Sequence, residues 1–329
     1  MKTLQEVQTF IHDQLLPDLH RLEASRKRAV LAGILAVLVV LALAMFLAAR
    51  AIPHRHLSFG LPFLVVTLFA TIFTSVICLV AFSACVGPYR RRFKQRVIGR
   101  LVGFAEEGLS YDPKGYIPED EFRRSRIFES RIDRYSGEDL VYGKIGKTEI
   151  RFSEIDAERE HTSRDAEGKT HTHNETIFNG VLLIADFNKD FRGQTLVLPD
   201  VAQRLLGSFG QRLQAISRPG MELVRLEDPE FEKEFVVYGT DQIEARYILS
   251  PALMQRILQF KRKTASTIYI SFVESRLYLA IETKKNLFEP RLFSSLLDTS
   301  FIEDYYQQLA MLIGVVDDLN LNTRIWSKQ

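Results

Sequence analysis

The sequence predicts an α+β domain, a mostly antiparallel sheet with flanking helices, preceded by an α-helical two-span transmembrane hairpin. Three observations predict it. No Asp or Glu occurs between Glu23 and Glu106. Two long uncharged apolar runs fill most of that gap. Beyond it, short stretches that alternate apolar and polar residues are interspersed with apolar stripes of helical period.

Residues 1–28 carry Leu4, Val7, Ile11, Leu15, Leu19 and Leu22 at three- and four-residue steps, the pattern of an amphipathic helix. Pro17 should kink or divide it. The stripe needs a partner, which is the protein's own soluble domain, a second copy or the membrane surface. Residues 29–49 form the first span: an uncharged helix of this length is about 30 Å long, the thickness of a bilayer core. Residues 50–60 form a short external loop, and residues 61–86 the second span. Thr67, Thr71, Thr74, Ser75 and Ser83 in that span can bond back to the carbonyls of their own helix. A buried core helix would show a polar face, and neither run has one. A cleaved signal peptide would not be preceded by a long polar segment.

The flanks give the orientation. Arg21, Arg26, Lys27 and Arg28 precede the first span, and Arg90, Arg91, Arg92, Lys94, Arg96 and Arg100 follow the second. The connecting loop holds only Arg50 and Arg55. Both termini are therefore expected in the cytoplasm. Arg26, Lys27, Arg28, Arg90, Arg91, Arg92, Lys94 and Arg96 are the expected headgroup-level residues that fix this orientation. Residues 87–135 read as a basic juxtamembrane helix with the stripe Phe93, Val97 and Leu101, followed by a linker. Pro118, Glu119 and Asp120 open a short helix expected to end near Phe128.

Residues 136–329 read as the α+β domain. Thr148, Ile150, Phe152 and Glu154 alternate with Glu149, Arg151, Ser153 and Ile155, a strand with one buried face. A long polar hairpin loop is expected over 158–175, then a central strand at 177–185 and a short one at 195–198. Another strand covers 235–238. Ser250-Pro251 opens a helix with Leu253, Met254, Ile257 and Leu258 on one face. Residues 268–273 and 277–281 form a hairpin. Ile302, Tyr305, Leu309, Leu312, Val316 and Leu319 form the last stripe, and the helices are expected on one face of the sheet.

The whole-chain averages of 329 residues are bland: 46% apolar, 26% charged, net charge +2. They exclude a collagen-like or disordered chain, and two cysteines exclude a disulfide scaffold. With 43 Lys and Arg against 41 Asp and Glu, no nucleic-acid partner is expected. The average conceals a division. Residues 1–28 carry +1, residues 29–100 carry +8 and residues 101–329 carry −7.

Chemical motifs are scarce. Gly143-Lys-Ile-Gly146-Lys147-Thr148 lacks the first Gly of a phosphate loop, since Val141 stands there, and reads as a turn between strands. Asp186-Phe-Asn188-Lys-Asp190 has the first three positions of a calcium loop, but Phe191 and Val197 replace the required Gly and Glu. His161, His171 and His173 share one polar segment. His171 and His173, two residues apart, are the weak metal candidates, and solvation is the better account. No Ser elbow occurs, and the domain has no Cys, so a Cys–His nucleophile pair is excluded there; no cofactor is expected, and a non-enzymatic role is favoured over an enzyme whose site sequence spacing does not reveal. Ala29/Gly33 and Ala32/Ala36 offer small-residue faces for close helix approach.

One set of residues carries a family resemblance. It runs through Phe178-Asn-Gly180-Val-Leu-Leu-Ile-Ala-Asp186-Phe187, Phe231, Phe235-Val-Val-Tyr238 and Ala245-Arg-Tyr247-Ile-Leu-Ser-Pro251. It continues with Ser271-Phe272 and Leu277-Tyr-Leu-Ala-Ile281, and closes at Leu319-Asn-Leu321-Asn322 and Trp326. With two spans ahead of it, this pattern resembles the bacterial DUF3137 family of uncharacterised membrane proteins, over most of residues 90–329. The resemblance implies structural rather than catalytic motifs. It also implies a membrane complex, with LemA-family membrane proteins as the protein partner. Three functional classes stand beside one another: a membrane-anchored adaptor or scaffold, an enzyme whose site is assembled from distant residues, and a subunit of a channel or transporter formed as a homo-oligomer.

Overall fold

The computed structural model describes residues 2–51, 61–164, 170–187, 189–200, 220–283 and 286–322. Residues 52–60 of the expected external loop, the tip of the His-bearing segment, Asn188 and Trp326 fall outside the described residues, while Arg50 and Ala51 belong to helix Leu16–Ala51. The chain divides into two compact units. A helical unit comprises Thr3–Ile98 and Glu289–Glu303, and a sheet unit comprises Met1–Lys2, Gly99–Phe288 and Asp304–Gln329.

In the helical unit, helix Leu4–Phe10 is opened by a capping box in which Thr3 accepts from the Glu6 amide and Glu6 accepts from the Thr3 amide. A π turn, Ile11–Leu15, joins it to helix Leu16–Ala51. The Pro17 break expected from sequence is thus replaced by a widened turn just before the proline. There the Leu16 amide bonds the Ile11 carbonyl, and Pro17 has no amide to lose. Helix Leu61–Phe93 contains Pro88 and is likewise followed by a π turn, Lys94–Ile98. The amphipathic stripe is buried at Val7, Ile11, Leu15, Leu19 and Leu22, and Phe93, Val97 and Ile98 are fully buried as well.

The two long helices run antiparallel. Arg96 lies 3.9 Å from Asp18, and a Cβ on Gly33 would meet the Phe82 ring at 2.6 Å. The partner numbers in these contacts sum to nearly the same value, as antiparallel pairing requires. Carried along the helices, that register sets Ala29 level with Val86, so the apolar zones of both helices begin at one height. Above that height Leu31, Leu38, Phe46, Val66, Phe73 and Leu79 are exposed. Thr71 and Ser75 donate to the carbonyls of Thr67 and Thr71, both at 2.8 Å.

The sheet unit is a nine-stranded antiparallel sheet in the order β1-β2-β3-β4-β9-β8-β5-β7-β6. Its strands are β1 (Leu109–Asp112), β2 (Arg134–Ile145), β3 (Thr148–Arg164), β4 (Thr170–Asp186), β5 (Gln194–Pro199), β6 (Glu222–Val224), β7 (Phe235–Gly239), β8 (Ile268–Val273) and β9 (Arg276–Glu282). Gly146 and Lys147 turn β2 into β3, as the sequence predicts, and Glu274 and Ser275, both at positive φ, turn β8 into β9. The polar segment expected as a loop is instead a two-stranded ribbon in which Glu158 to Arg164 pair with Thr176 to Thr170. Its threonines favour extended backbone, so polarity without a turn signal does not break the ladder.

One face of the sheet carries Leu182, Ile184, Leu196, Leu198, Tyr269, Tyr278 and Ala280, all packed in one core with Ile117, Phe122, Ile127 and Ile132. Phe122 stacks on Phe128 at 5.4 Å, and Phe128 contacts Phe178 and Tyr269 at 5.1 Å each. The helix that delivers Phe122, Glu119–Arg124, ends short of Phe128 because Arg126 takes a left-handed conformation, φ 57°. The alternate residues Val181, Leu183, Val197, Ile270, Phe272, Leu277 and Leu279 are buried too. Both faces of the central strands are therefore covered, where the sequence suggested helices on one. Helix Pro251–Thr264 buries Leu253, Met254, Ile257 and Leu258, and Ala265 closes it in a left-handed cap. The last stripe is buried from Ile302 to Leu319 across helices Ser300–Ile313 and Val315–Asp318.

Gly143 sits where β2 crosses the start of β1, at φ +149°, and a Cβ there would lie 2.1 Å from the Gly108 carbonyl oxygen. Gly143→Ala should destabilise the sheet unit by about 1–3 kcal/mol. Hydrogen exchange across β1 and β2, compared with β8 and β9, measures this.

Candidate functional site

At the base of the helical hairpin the chain returns as residues 289–303 and is clamped by a buried ion pair. Arg26 donates through Nε and Nη2 to the two carboxylate oxygens of Glu23, at 2.9 and 2.7 Å. The pair is the i,i+3 neighbour contact of one helix. Each partner uses a further valence on the returning segment. Arg26 donates to the Leu292 carbonyl at 2.5 Å, and the Leu296 amide donates to Glu23 at 3.0 Å. Tyr89 donates to the Arg291 carbonyl at 3.0 Å. Arg26 and the Leu296 amide hold the Glu23 carboxyl at about 2, against the opposing effect of burial. Glu23 raises the Arg26 guanidinium in return.

The eight basic residues expected at headgroup level separate into two groups. Arg26 and Lys94 are buried, Lys94 with its ammonium 3.4 Å from Glu289. Lys27, Arg28, Arg90, Arg91, Arg92 and Arg96 are exposed. Lys27 and Arg90 lie 3.6 and 3.8 Å from Glu23 and Glu289. In the antiparallel register all eight sit at one end of the hairpin, just outside the apolar zone.

The sheet unit holds a cleft of about 340 Å³ lined by Gly137, Glu138, Glu154, Asp156, Asn179, Thr283 and Asn286. It opens where β2 bulges between Glu138 and Val141, with Asp139 at φ 62° and fully buried. One carboxylate oxygen from each of Glu138, Asp139 and Glu154 lies within 4.8 Å of the others. Tyr111 donates to Asp139 and the Leu287 amide donates to Glu154. Burial and the neighbouring Asp139 push the Tyr111 phenol far above its ordinary range, so it stays a donor. Sequence reasoning missed this cluster. Its signal was Glu154, a carboxylate in phase with the buried Ile150 and Phe152.

Among the described residues, no histidine of the ribbon belongs to a cluster of that kind. His161 is paired across the strands with His173, and His171 with Ser163. His161 lies 3.4 Å from Glu175, and His173 is exposed; the side chain of His171 is outside the described residues. Asp190 meets Ser275 at 3.5 Å, in the turn between β8 and β9.

Two helices are long and apolar enough to cross a membrane, and only 6% and 0% of their most apolar stretches is buried. An exposed apolar belt of that extent marks a membrane-associated protein. Residues 176–321 match the model of a family described as a protein of unknown function, DUF3137. The matched residues run from β4 through the last described helix, a shorter span than the sequence resemblance suggested. No curated protein matches the chain. A solved structure, the crystal structure of the mycobacterial trehalose monomycolate transport factor A, is similar at 10% identity and a TM-score of 0.33, covering 68% of this chain and 97% of its own.

Glu23→Gln leaves Arg26 buried without a counter-charge and should cost on the order of 3 kcal/mol at neutral pH. Thermal unfolding of the detergent-solubilised protein reads this. Because the Glu23 carboxyl is held at about 2 rather than 4.5, its contribution is complete above about pH 4.5 and is lost as pH falls through about 2. The variant should lack that part of the acid destabilisation.

Proposed function

We propose that the protein is a membrane-anchored, non-enzymatic adaptor or scaffold of the bacterial inner membrane. Both termini and the sheet unit lie in the cytoplasm, where the sheet unit binds a protein partner. The observation that carries the reading is the charge asymmetry of the hairpin. Six exposed cations, Lys27, Arg28, Arg90, Arg91, Arg92 and Arg96, cluster at one end. The 50–60 connection between the two apolar zones contains only two, Arg50 and Arg55. Positive ends stay on the cytoplasmic side, and each cation near an anionic leaflet contributes about 1 kcal/mol.

Two features support an adaptor over an enzyme. Among the described residues, the carboxylate cluster of Glu138, Asp139 and Glu154 in the β2 cleft is engaged by Tyr111 and by the Leu287 amide. Most of the residues that carry the family resemblance, among them Phe178, Phe231, Phe235, Ala245, Phe272, Leu279 and Leu319, are buried, as a structural motif requires. A LemA-family membrane protein is the partner that the family resemblance brings forward. The channel reading needs an oligomer, because two helices do not enclose a pore and neither apolar zone holds Asp, Glu, Lys or Arg.

A reporter fused after Gln329 should be inaccessible from outside the cell, and accessibility there would overturn the topology. Replacing Arg90, Arg91 and Arg92 together by Glu should yield a mixed population of orientations; a uniform, unchanged orientation would remove these residues from the reading. Purification from the native membrane in mild detergent should recover one specific protein in stoichiometric amount, and repeated recovery of the chain alone would sink the adaptor reading.

A further inference from the structure

We propose that the segment at residues 291–297 is an interfacial membrane anchor, which lowers Phe293 into the boundary between headgroups and acyl chains beside the second span. The proposal rests on reading the two long helices as spans. Phe293 is 76% exposed and Leu297 42%, large apolar side chains at positions where a water-facing loop gains nothing from them. The Phe293 ring stacks on Phe82, with centroids 6.3 Å apart and planes 17° from parallel.

The depth of that ring follows from the helix register. Phe82 lies four residues inside the apolar zone that begins at Val86, about 6 Å at 1.5 Å per residue. It faces Gly33, which lies four residues inside the zone that begins at Ala29. Phe293 therefore shares a level with side chains inside the apolar zone of both helices. Its backbone does not. Arg291, Leu292 and Leu296 are held through main-chain groups by Tyr89, Arg26 and Glu23, all on the charged side of the boundary. Those bonds satisfy backbone polar groups that a bilayer would leave unpaired. The segment thus straddles the boundary, its polar groups tied to protein and its ring pointing toward lipid.

The partner this fits is the surface of an anionic bilayer. An aromatic side chain buried roughly 5–10 Å into the interface, beside cations that meet headgroups, is the arrangement of an in-plane anchor. Arg90, Arg91 and Arg92 provide those cations on the adjoining helix turn. Continuity with the exposed apolar belt of the helices argues for lipid as the occupant.

Depth measurement tests the assignment. In the full chain carrying Cys78→Ala and Cys85→Ala, single cysteines at Phe293, Leu297, Leu38 and Ile243 are spin-labelled. Each protein is reconstituted into vesicles of phosphatidylethanolamine and phosphatidylglycerol. Leu38 lies mid-span and Ile243 is an exposed residue of the sheet unit. The ratio of collision with oxygen to collision with a water-soluble nickel chelate should be several-fold higher at 293 than at 243, and intermediate at 297. A ratio at 293 equal to that at 243, with 38 protected, overturns the anchor and leaves the spans standing. A label at 38 open to the chelate overturns the membrane reading itself. Protection at 293 that disappears on dilution of the protein in lipid assigns the ring to a second copy and overturns the lipid assignment.

Discussion

The helical unit depends on one buried contact, the Glu23–Arg26 pair. Placing two charges out of water costs several kcal/mol per ion unless geometry and additional hydrogen bonds restore what hydration supplied. Here the guanidinium spans both carboxylate oxygens, and each ion keeps one further bond to the main chain of residues 292–296. The pair is therefore a fastener between a helix and a distant segment, and its two fixed geometries determine where that segment lies. The depth of Phe293, the stacking on Phe82 and the approach of Glu289 to Lys94 all follow from that position.

Close packing of the two long helices supplies the second constraint. Gly33 lets Phe82 approach to a distance that any side chain would block, so the small residue serves a contact within the chain. This gives the small-residue face seen in the sequence an intramolecular role. The π turn at Ile11–Leu15 lies just before Pro17, where an uninterrupted α-helix would clash or lose a bond. Val7, Ile11, Leu15, Leu19 and Leu22 of the stripe are buried, as are Phe93 and Val97 of the same unit.

Much of this was legible in the sequence, for reasons that differ by element. The two long apolar helices, the hairpin at Glu274-Ser275, the helix opened by Ser250-Pro251 and the turn at Gly146 are set by local chemistry: hydropathy, positive φ, a fixed proline φ and glycine freedom. The His ribbon was misread because a strand that leaves the body of its sheet has no buried face, and alternation is the signal a sequence offers. Sheet order was not legible, since β9 inserts beside β4 through pairing of residues nearly a hundred positions apart. Of the eight collar cations, the sequence could not distinguish Arg26 and Lys94 from the rest. Their burial comes from Glu23 and Glu289, and Glu289 lies about two hundred residues away from Lys94.

The carboxylate cleft follows the same physical logic as the ion pair at the other unit. Three carboxylates within 4.8 Å repel one another, and such a group persists only where donors or cations offset the repulsion. The Tyr111 phenol does so for Asp139, and the Leu287 amide for Glu154. The Phe288 ring then meets Tyr111 edge-on at 6.3 Å and Tyr305 at 6.0 Å. Both donor contacts thus converge on the residues immediately before Glu289, where the chain leaves the sheet unit. The acidic groups hold the exit of the chain against β2 and β3. On this account the negative charge in the cleft is spent on fixing residues 286–288, and the bulge at Asp139 exists to present its carboxylate to Tyr111.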